Sequence, residues 1–197
     1  MKVCVTGSGG FLGLHVCQAL RKANHTVVGL DVSPRADIVA DITQPLARIT
    51  GLDAVVHLAG VAAPNDCDKD PARAFSTNVG GTYQVLKMAL ESGARKVVFA
   101  SSAHVYDIPP KYLPTDEVHP LRLNNAYTTT KILGEELCAL YFENHGLNYT
   151  ALRLFNAYGP GQQPGYFIPD QIAKARRGNF HLSGANTTKD FVHVDDL

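Results

Sequence analysis

Tyr127 and Lys131 stand four residues apart in "AYTTTK". On a helix, that spacing puts both side chains on one face. A free phenol titrates near ~10, and each unit of depression takes about 1.4 kcal/mol of differential stabilisation. A neighbouring ammonium supplies some of it, and the positive ring of an oxidised nicotinamide cofactor would supply more. Tyr127 is thereby a candidate general base for a substrate hydroxyl at neutral pH, and Lys131 can also reach a nicotinamide ribose. Taken alone, the pair equally describes a surface tyrosine and lysine on an amphipathic helix. Ser102 is the third candidate. It closes the apolar run in "KVVFASS" (96–102), and ligands in open α/β sheets bind beyond the carboxyl ends of strands. Its hydroxyl could bond the reacting oxygen beside Tyr127, or simply cap the end of the strand.

A second group of residues suits a dinucleotide. In "VTGSGGFLG" Gly7, Gly10 and Gly13 follow a GxxGxxG spacing between a β-rich run and a helical pattern. Glycines there allow a tight turn and close approach to a pyrophosphate, while the helix start offers free N–H groups and a favourable dipole. The motif alone is also a bland glycine turn. Asp31, which ends the next strand 18 residues after Gly13, adds to the case. A carboxylate there can accept from the adenosine ribose hydroxyls and would repel a 2′-phosphate. NAD is therefore expected over NADP. Arg35 leaves room for the alternative, but reads more simply as a solvated loop charge.

The elements that must position these residues alternate. Short apolar runs at 2–6, 26–30, 53–59, 96–101 and 149–155, with a weaker one at 37–41, read as strands covered on both faces. Helical patterns lie between them at 11–23, about 71–92 and about 125–144. This order gives a doubly wound parallel sheet with helices on both faces. The Pro- and Gly-rich "NAYGPGQQPG" (156–165) marks a boundary. The expected domains are a dinucleotide-binding unit over 1–155 and the start of a smaller substrate-binding region over 156–197.

Composition narrows the class. The 197 residues are 45% apolar and 18% charged, with 18 basic and 18 acidic side chains. A chain of this kind buries a core, and its zero net charge gives no electrostatic case for nucleic acid or an anionic membrane. No apolar run is long enough for a signal or a span. The four cysteines, at 4, 17, 67 and 138, fit neither a zinc cage nor a disulfide framework. No metal site is expected, and cysteine usage of this kind suits a reducing, cytoplasmic setting.

Taken in order, "TGSGGFLG", "LDV", "ADI" (40–42), "HLAG" (57–60), "NVGGT" (78–82), "SSAHVY", "YTTTK", "RLFNAYGPGQ" and "KDFVHVDDL" resemble the extended short-chain dehydrogenases/reductases. Within these, the closest group is the NAD-dependent epimerase/dehydratase family that acts on nucleotide sugars. The resemblance implies a Rossmann fold and roles for individual residues. Gly7, Gly10, Phe11 and Leu12 would line the pyrophosphate loop. Asp31 would meet the adenosine ribose, and Asp41 and Ile42 the adenine. Leu58, Ala59 and Gly60 would pass under the cofactor with Asn78 nearby, and Phe155 would lie near the nicotinamide. Ser102, Tyr127 and Lys131 would be the catalytic triad, with Asn156 and Lys189 at the substrate diphosphate.

Four positions depart from the family pattern. Lys189 stands where arginine is usual, and an ammonium lacks the bidentate fork. Ala103 and His104 occupy the acid pair of the sugar 4,6-dehydratases, which disfavours dehydration. Asp107 replaces a common glycine. The resemblance therefore points to a nucleotide-sugar epimerase working through a 4-keto sugar. A carbonyl reductase consuming NAD(P)H is the alternative, and a non-catalytic dinucleotide module is less favoured because a sensor needs no base. It also implies a homodimer built on the helices near 71–92 and 127–144. The family continues past "KDFVHVDDL", so the chain reads as C-terminally truncated, with Asp195 and Asp196 as helix-starting acids.

Overall fold

A computed structural model of the chain describes residues 1–178 and 188–197. The chain divides into two compact units, Met1–Leu154 and Phe155–Leu197. In the first, strands β1 (Lys2–Thr6), β2 (Thr26–Asp31), β3 (Ile38–Val39), β4 (Ala54–His57), β5 (Lys96–Ser102) and β6 (Asn148–Leu154) form one sheet. Its order is β3-β2-β1-β4-β5-β6, and every pairing is parallel. The chain winds outward from β1 through β2 to β3, then returns to place β4 on the other side of β1. The winding direction reverses between β1 and β4, and in open α/β sheets ligands bind beyond the carboxyl ends of the strands at such a switch point.

Alternation along β1 sends its side chains to two cores. Val3 and Val5 join Cys17 of α1 (Phe11–Lys22) on one face. Cys4 joins Leu30, Val55, Val97 and Phe99 on the other, packed against Val85, Leu86, Met88, Cys138 and Tyr141. Those last five lie on α4 (Gly81–Glu91) and α5 (Ala126–His145). All four cysteines are free and buried.

The helices start and stop for local reasons. A capping box pairs the Asn125 side chain with Thr128 N–H at the start of α5, and Gly146 at φ 68° ends it. The single helix expected near 71–92 is instead composite: α3 (Pro71–Phe75), a π-turn (Ser76–Gly80) and α4. A further short helix, α2 (Pro64–Lys69), precedes it. Asp70 separates α2 from α3, and its carboxylate accepts from Arg73 N–H at 3.0 Å. The π-turn adds a residue to the helical path and turns Asn78 inward, where it is 4% exposed.

The second unit pairs β7 (Asn156–Tyr158) with β8 (Phe191–His193) in parallel and adds α6 (Phe167–Arg176). Phe167 stacks on Phe191 with centroids 5.8 Å apart. A 3-10 turn, Val194–Asp196, follows β8, with Asp195 N–H donating to His193 Nδ1. Among the described residues no helix is long and apolar enough to cross a membrane, and no group of three His, Cys, Asp or Glu could hold a metal ion.

Candidate active site

The glycine loop follows β1 at the β1–β4 switch point. Gly7 has φ 71°, and a Cβ on it would lie 2.7 Å from Ala59 N. A side chain is thus excluded twice, by backbone conformation and by the loop after β4. A Cβ on Gly13 would lie 2.0 Å from Gly7 O, so α1 sits against the loop only because that position is bare. Gly10 begins α1 with no side-chain cap, leaving the first-turn amides around Phe11 and Leu12 without the capping oxygen most helices have. Asp31 is held in place: Oδ2 accepts Gly9 N–H and Oδ1 accepts Ser33 N–H, both at 2.9 Å. These features fit a dinucleotide, with bare backbone and helix dipole for a pyrophosphate and an oriented carboxylate for a ribose.

Other candidate cofactor residues take different parts. Asp41 is exposed, and its Oδ1 accepts Thr43 N–H. The Ile42 side chain belongs to the main core, packed where a Cβ on Gly81 would meet its Cδ1 at 2.5 Å. Ile42 therefore offers a ligand its backbone alone. Leu58 N–H bonds Thr6 O, and Ala59 N–H bonds Thr6 Oγ1. Asn78 is engaged by the protein itself: Oδ1 accepts Val61 N–H at 2.7 Å, and Nδ2 donates to Val61 O and Thr130 Oγ1 at 3.1 and 3.0 Å. Its amide staples the loop after β4. Gly60, whose Cβ would lie 2.8 Å from Asn78 Oδ1, lets that loop close down.

Ser102, Tyr127 and Lys131 are 5%, 8% and 9% exposed. Lys131 Nζ donates to Ala100 O at 2.8 Å, on the same strand as Ser102. The ammonium lies 5.8 Å from the Tyr127 ring centroid and 5.3 Å from that of Phe99. Burial pushes the Lys131 pKa down to about 8, opposed in part by Cys67. Ser102 does cap a turn, since its Oγ accepts His104 N–H at 3.2 Å at the start of the 3-10 turn Ala103–Val105. That bond occupies an oxygen lone pair and leaves the hydroxyl hydrogen free to donate. The His104 ring stands edge-on to Tyr127, centroids 6.0 Å apart. The fold thus brings the end of β5 and the first turns of α5 together around a phenol, an ammonium and a hydroxyl. That set can move a proton to or from a substrate hydroxyl.

Several residues around this set carry no signal in a short motif. Cys67 and Ala74 pack with Tyr127. Arg153 makes a two-pronged ion pair with Glu135, the shortest contact 2.7 Å, while Glu135 also accepts from Ser101 Oγ. Arg153 Nη1 also bonds Glu117 O, tying the segment after β5 to the sheet. Asp107 pairs with Arg122 at 3.4 Å across that segment. A polar side chain inside each of two apolar strand patterns, His57 and Arg153, is the available hint.

In the second unit Asn156 Nδ2 donates to Asp190 O at 2.8 Å. Phe155 is 41% exposed, and Lys189 is exposed. A cleft of about 740 Å³ opens between Tyr158, Ile168, Ile172, Arg176, Arg177 and His193. Gln162 also lines it, and its Oε1 is buried without a hydrogen-bond partner.

The sequence pattern of the NAD dependent epimerase/dehydratase family matches residues 3–197. A putative UDP-glucose 4-epimerase of Methanocaldococcus jannaschii is 32% identical over 216 residues, covering 99% of this chain and 70% of that protein. A UDP-glucose 4-epimerase of Lactobacillus helveticus is 29% identical, with 100% and 69% coverage. Among solved structures, MoeE5 in complex with UDP-glucuronic acid and NAD superposes with a TM-score of 0.88 at 29% identity, covering 99% of this chain and 69% of that one. A UDP-galactose 4-epimerase gives 0.83 at 32% identity, with 99% and 68% coverage.

Proposed function

The chain belongs to the NAD-dependent epimerase/dehydratase family, a family of enzymes, and from that premise we propose that it is a nucleotide-sugar epimerase working through a transient 4-keto sugar. The observation that carries the reading is the buried Tyr127–Lys131 pair seated against β5. Tyr127 Oη takes the proton of the sugar 4-hydroxyl and later returns one to the carbonyl oxygen. Lys131 stabilises the phenolate, and Ser102 donates its free hydroxyl hydrogen to the same sugar oxygen. Bound NAD supplies the hydride acceptor and donor at carbon 4. Gly7, Gly10 and the uncapped start of α1 hold its pyrophosphate, and Asp31 its adenosine ribose. Ala103 and His104 leave no carboxylic acid beside Ser102 to expel a sugar hydroxyl, which favours epimerisation over dehydration.

The substrate is a nucleoside diphosphate sugar. The apolar wall and two guanidinium groups of the cleft in the second unit suit a base and phosphates, with Asn156 and Lys189 as further diphosphate contacts. The enzyme is a homodimer. Val79, Leu133, Leu137 and Leu140 line an open groove along α5 whose rim carries Glu136 and Glu143, and Leu140 is 49% exposed. Such a face calls for a covering partner.

Incubation with a panel of UDP-, GDP- and dTDP-sugars, following sugar products and absorbance of reduced cofactor, tests the reading. Epimeric product without net cofactor reduction is expected, and Tyr127→Phe should abolish it while NAD affinity changes less than about threefold. Stoichiometric consumption of NAD(P)H would make the protein a reductase instead.

A further inference from the structure

A chain of hydrogen bonds runs under the glycine loop from β1 to α5, and donor–acceptor counting places every hydrogen in it. The Thr82 hydroxyl donates to Asn78 O, since a carbonyl only accepts. Thr82 Oγ1 must then accept from His57 Nε2, 3.0 Å away. His57 therefore carries its hydrogen on Nε2, and its Nδ1 accepts the Thr6 hydroxyl hydrogen at 2.7 Å. Thr6 Oγ1, its hydrogen committed, accepts Ala59 N–H at 3.3 Å. At the other end the Thr130 hydroxyl donates to Tyr127 O at 2.8 Å and accepts from Asn78 Nδ2. Asn78 in turn holds both backbone groups of Val61.

We propose that His57 is a positioning residue: as the Nε2–H tautomer it holds the π-turn that carries Asn78 and the loop Leu58–Val61, and through Asn78 and Thr130 the first turn of α5 beneath Tyr127. The opposite tautomer would set its Nδ1–H towards Thr6 and leave the Thr82 oxygen without its donor. Thr6 would then have a hydrogen with no acceptor in this chain of bonds. Burial, with Lys131 adding repulsion, pushes the imidazole pKa down to about 3, so the ring stays neutral wherever the protein is folded at ordinary pH. The consequence for NAD binding rests on the dinucleotide reading above; the tautomer does not.

The experiment uses the 197-residue chain labelled with ¹⁵N-histidine, together with His57→Gln and His57→Phe. In the wild type, NMR should show one imidazole fixed as Nε2–H that does not titrate between pH 5 and 8, and both variants should lack it. An Nδ1–H tautomer, or titration of His57 in that window, would overturn the proposal even if neither variant folds.

Hydrogen exchange at Val61 N–H and NAD affinity then separate positioning from packing. Glutamine keeps a donor near the Thr82 side. Phenylalanine keeps the ring packing beside Phe99, 5.7 Å away, and loses every hydrogen bond. Glutamine should stay within about threefold of wild type in both readouts, while phenylalanine should speed Val61 exchange and weaken NAD binding by about tenfold or more. The reverse ranking would reduce His57 to packing and overturn the proposal. Absence of NAD binding by the wild type would sink the cofactor reading and the functional half of this one, while tautomer and exchange still decide the other half.

Discussion

Replacing Lys131 by methionine should make the cofactor-free protein more stable while removing its chemistry. Lys131 is 9% exposed, and burial pushes its pKa from 10.5 down to about 8. Between those values the unfolded chain holds a proton that the folded chain has released, so stability rises with pH there. Below pH 8 the full penalty stands. At pH 7 it is about 3 kcal/mol, and at pH 9.5 about 1 kcal/mol remains, taking 1.36 kcal/mol per unit. Methionine keeps the unbranched apolar stem as far as the ε position but loses the ammonium and its bond to Ala100 O, which costs about 1 kcal/mol. The net expectation is a gain of about 2 kcal/mol at pH 7 that vanishes near pH 9.5. Urea unfolding of wild type and Lys131→Met, followed by far-UV circular dichroism at both pH values, measures it. A variant less stable than wild type at pH 7, or a gain that does not shrink at pH 9.5, would refute the argument that burial of this charge stores strain at the site.

Three further outcomes follow from the geometry. Calorimetric titration should show NAD binding more tightly than NADP, and Asp31→Ala should narrow the preference by about tenfold, since it removes a like charge facing the 2′-phosphate; NADP binding tighter in the wild type would reverse the assignment. Gly13→Ala places a Cβ 2.0 Å from Gly7 O, so thermal unfolding should shift down by several degrees, with NAD affinity falling about tenfold or more; unchanged values of both would mean the loop is slack. Leu140→Glu should turn a dimer into a monomer in sedimentation velocity at micromolar concentration, because it replaces an apolar contact of the α5 groove with a third carboxylate beside Glu136 and Glu143; a wild-type monomer would remove that face as the interface.

The features legible in the sequence are those set by near neighbours. Alternating apolar runs and helical periods define the strands and the long α5, whose ends follow from Asn125 and Gly146. The i, i+4 placement of Tyr127 and Lys131 is a property of any helix, and the bare positions Gly7 and Gly13 show in the loop that holds them. Other features depend on segments far apart in the chain, where no local pattern reaches. The π-turn interrupts an otherwise continuous helical pattern because Asn78 finds Val61 and Thr130 across the fold. Ile42 is drawn into the core by the missing side chain of Gly81. The outward exposure of Leu133 and Leu140 separates them from Tyr141, which is 8% exposed on the same helix; periodicity alone could not tell the face toward the sheet from the face away from it. The tautomer of His57 is the clearest case. A histidine in an apolar strand signals only that its two nitrogens need partners. Which nitrogen keeps the hydrogen depends on Thr82, 25 residues on, whose own hydrogen is taken by a carbonyl one helical turn earlier.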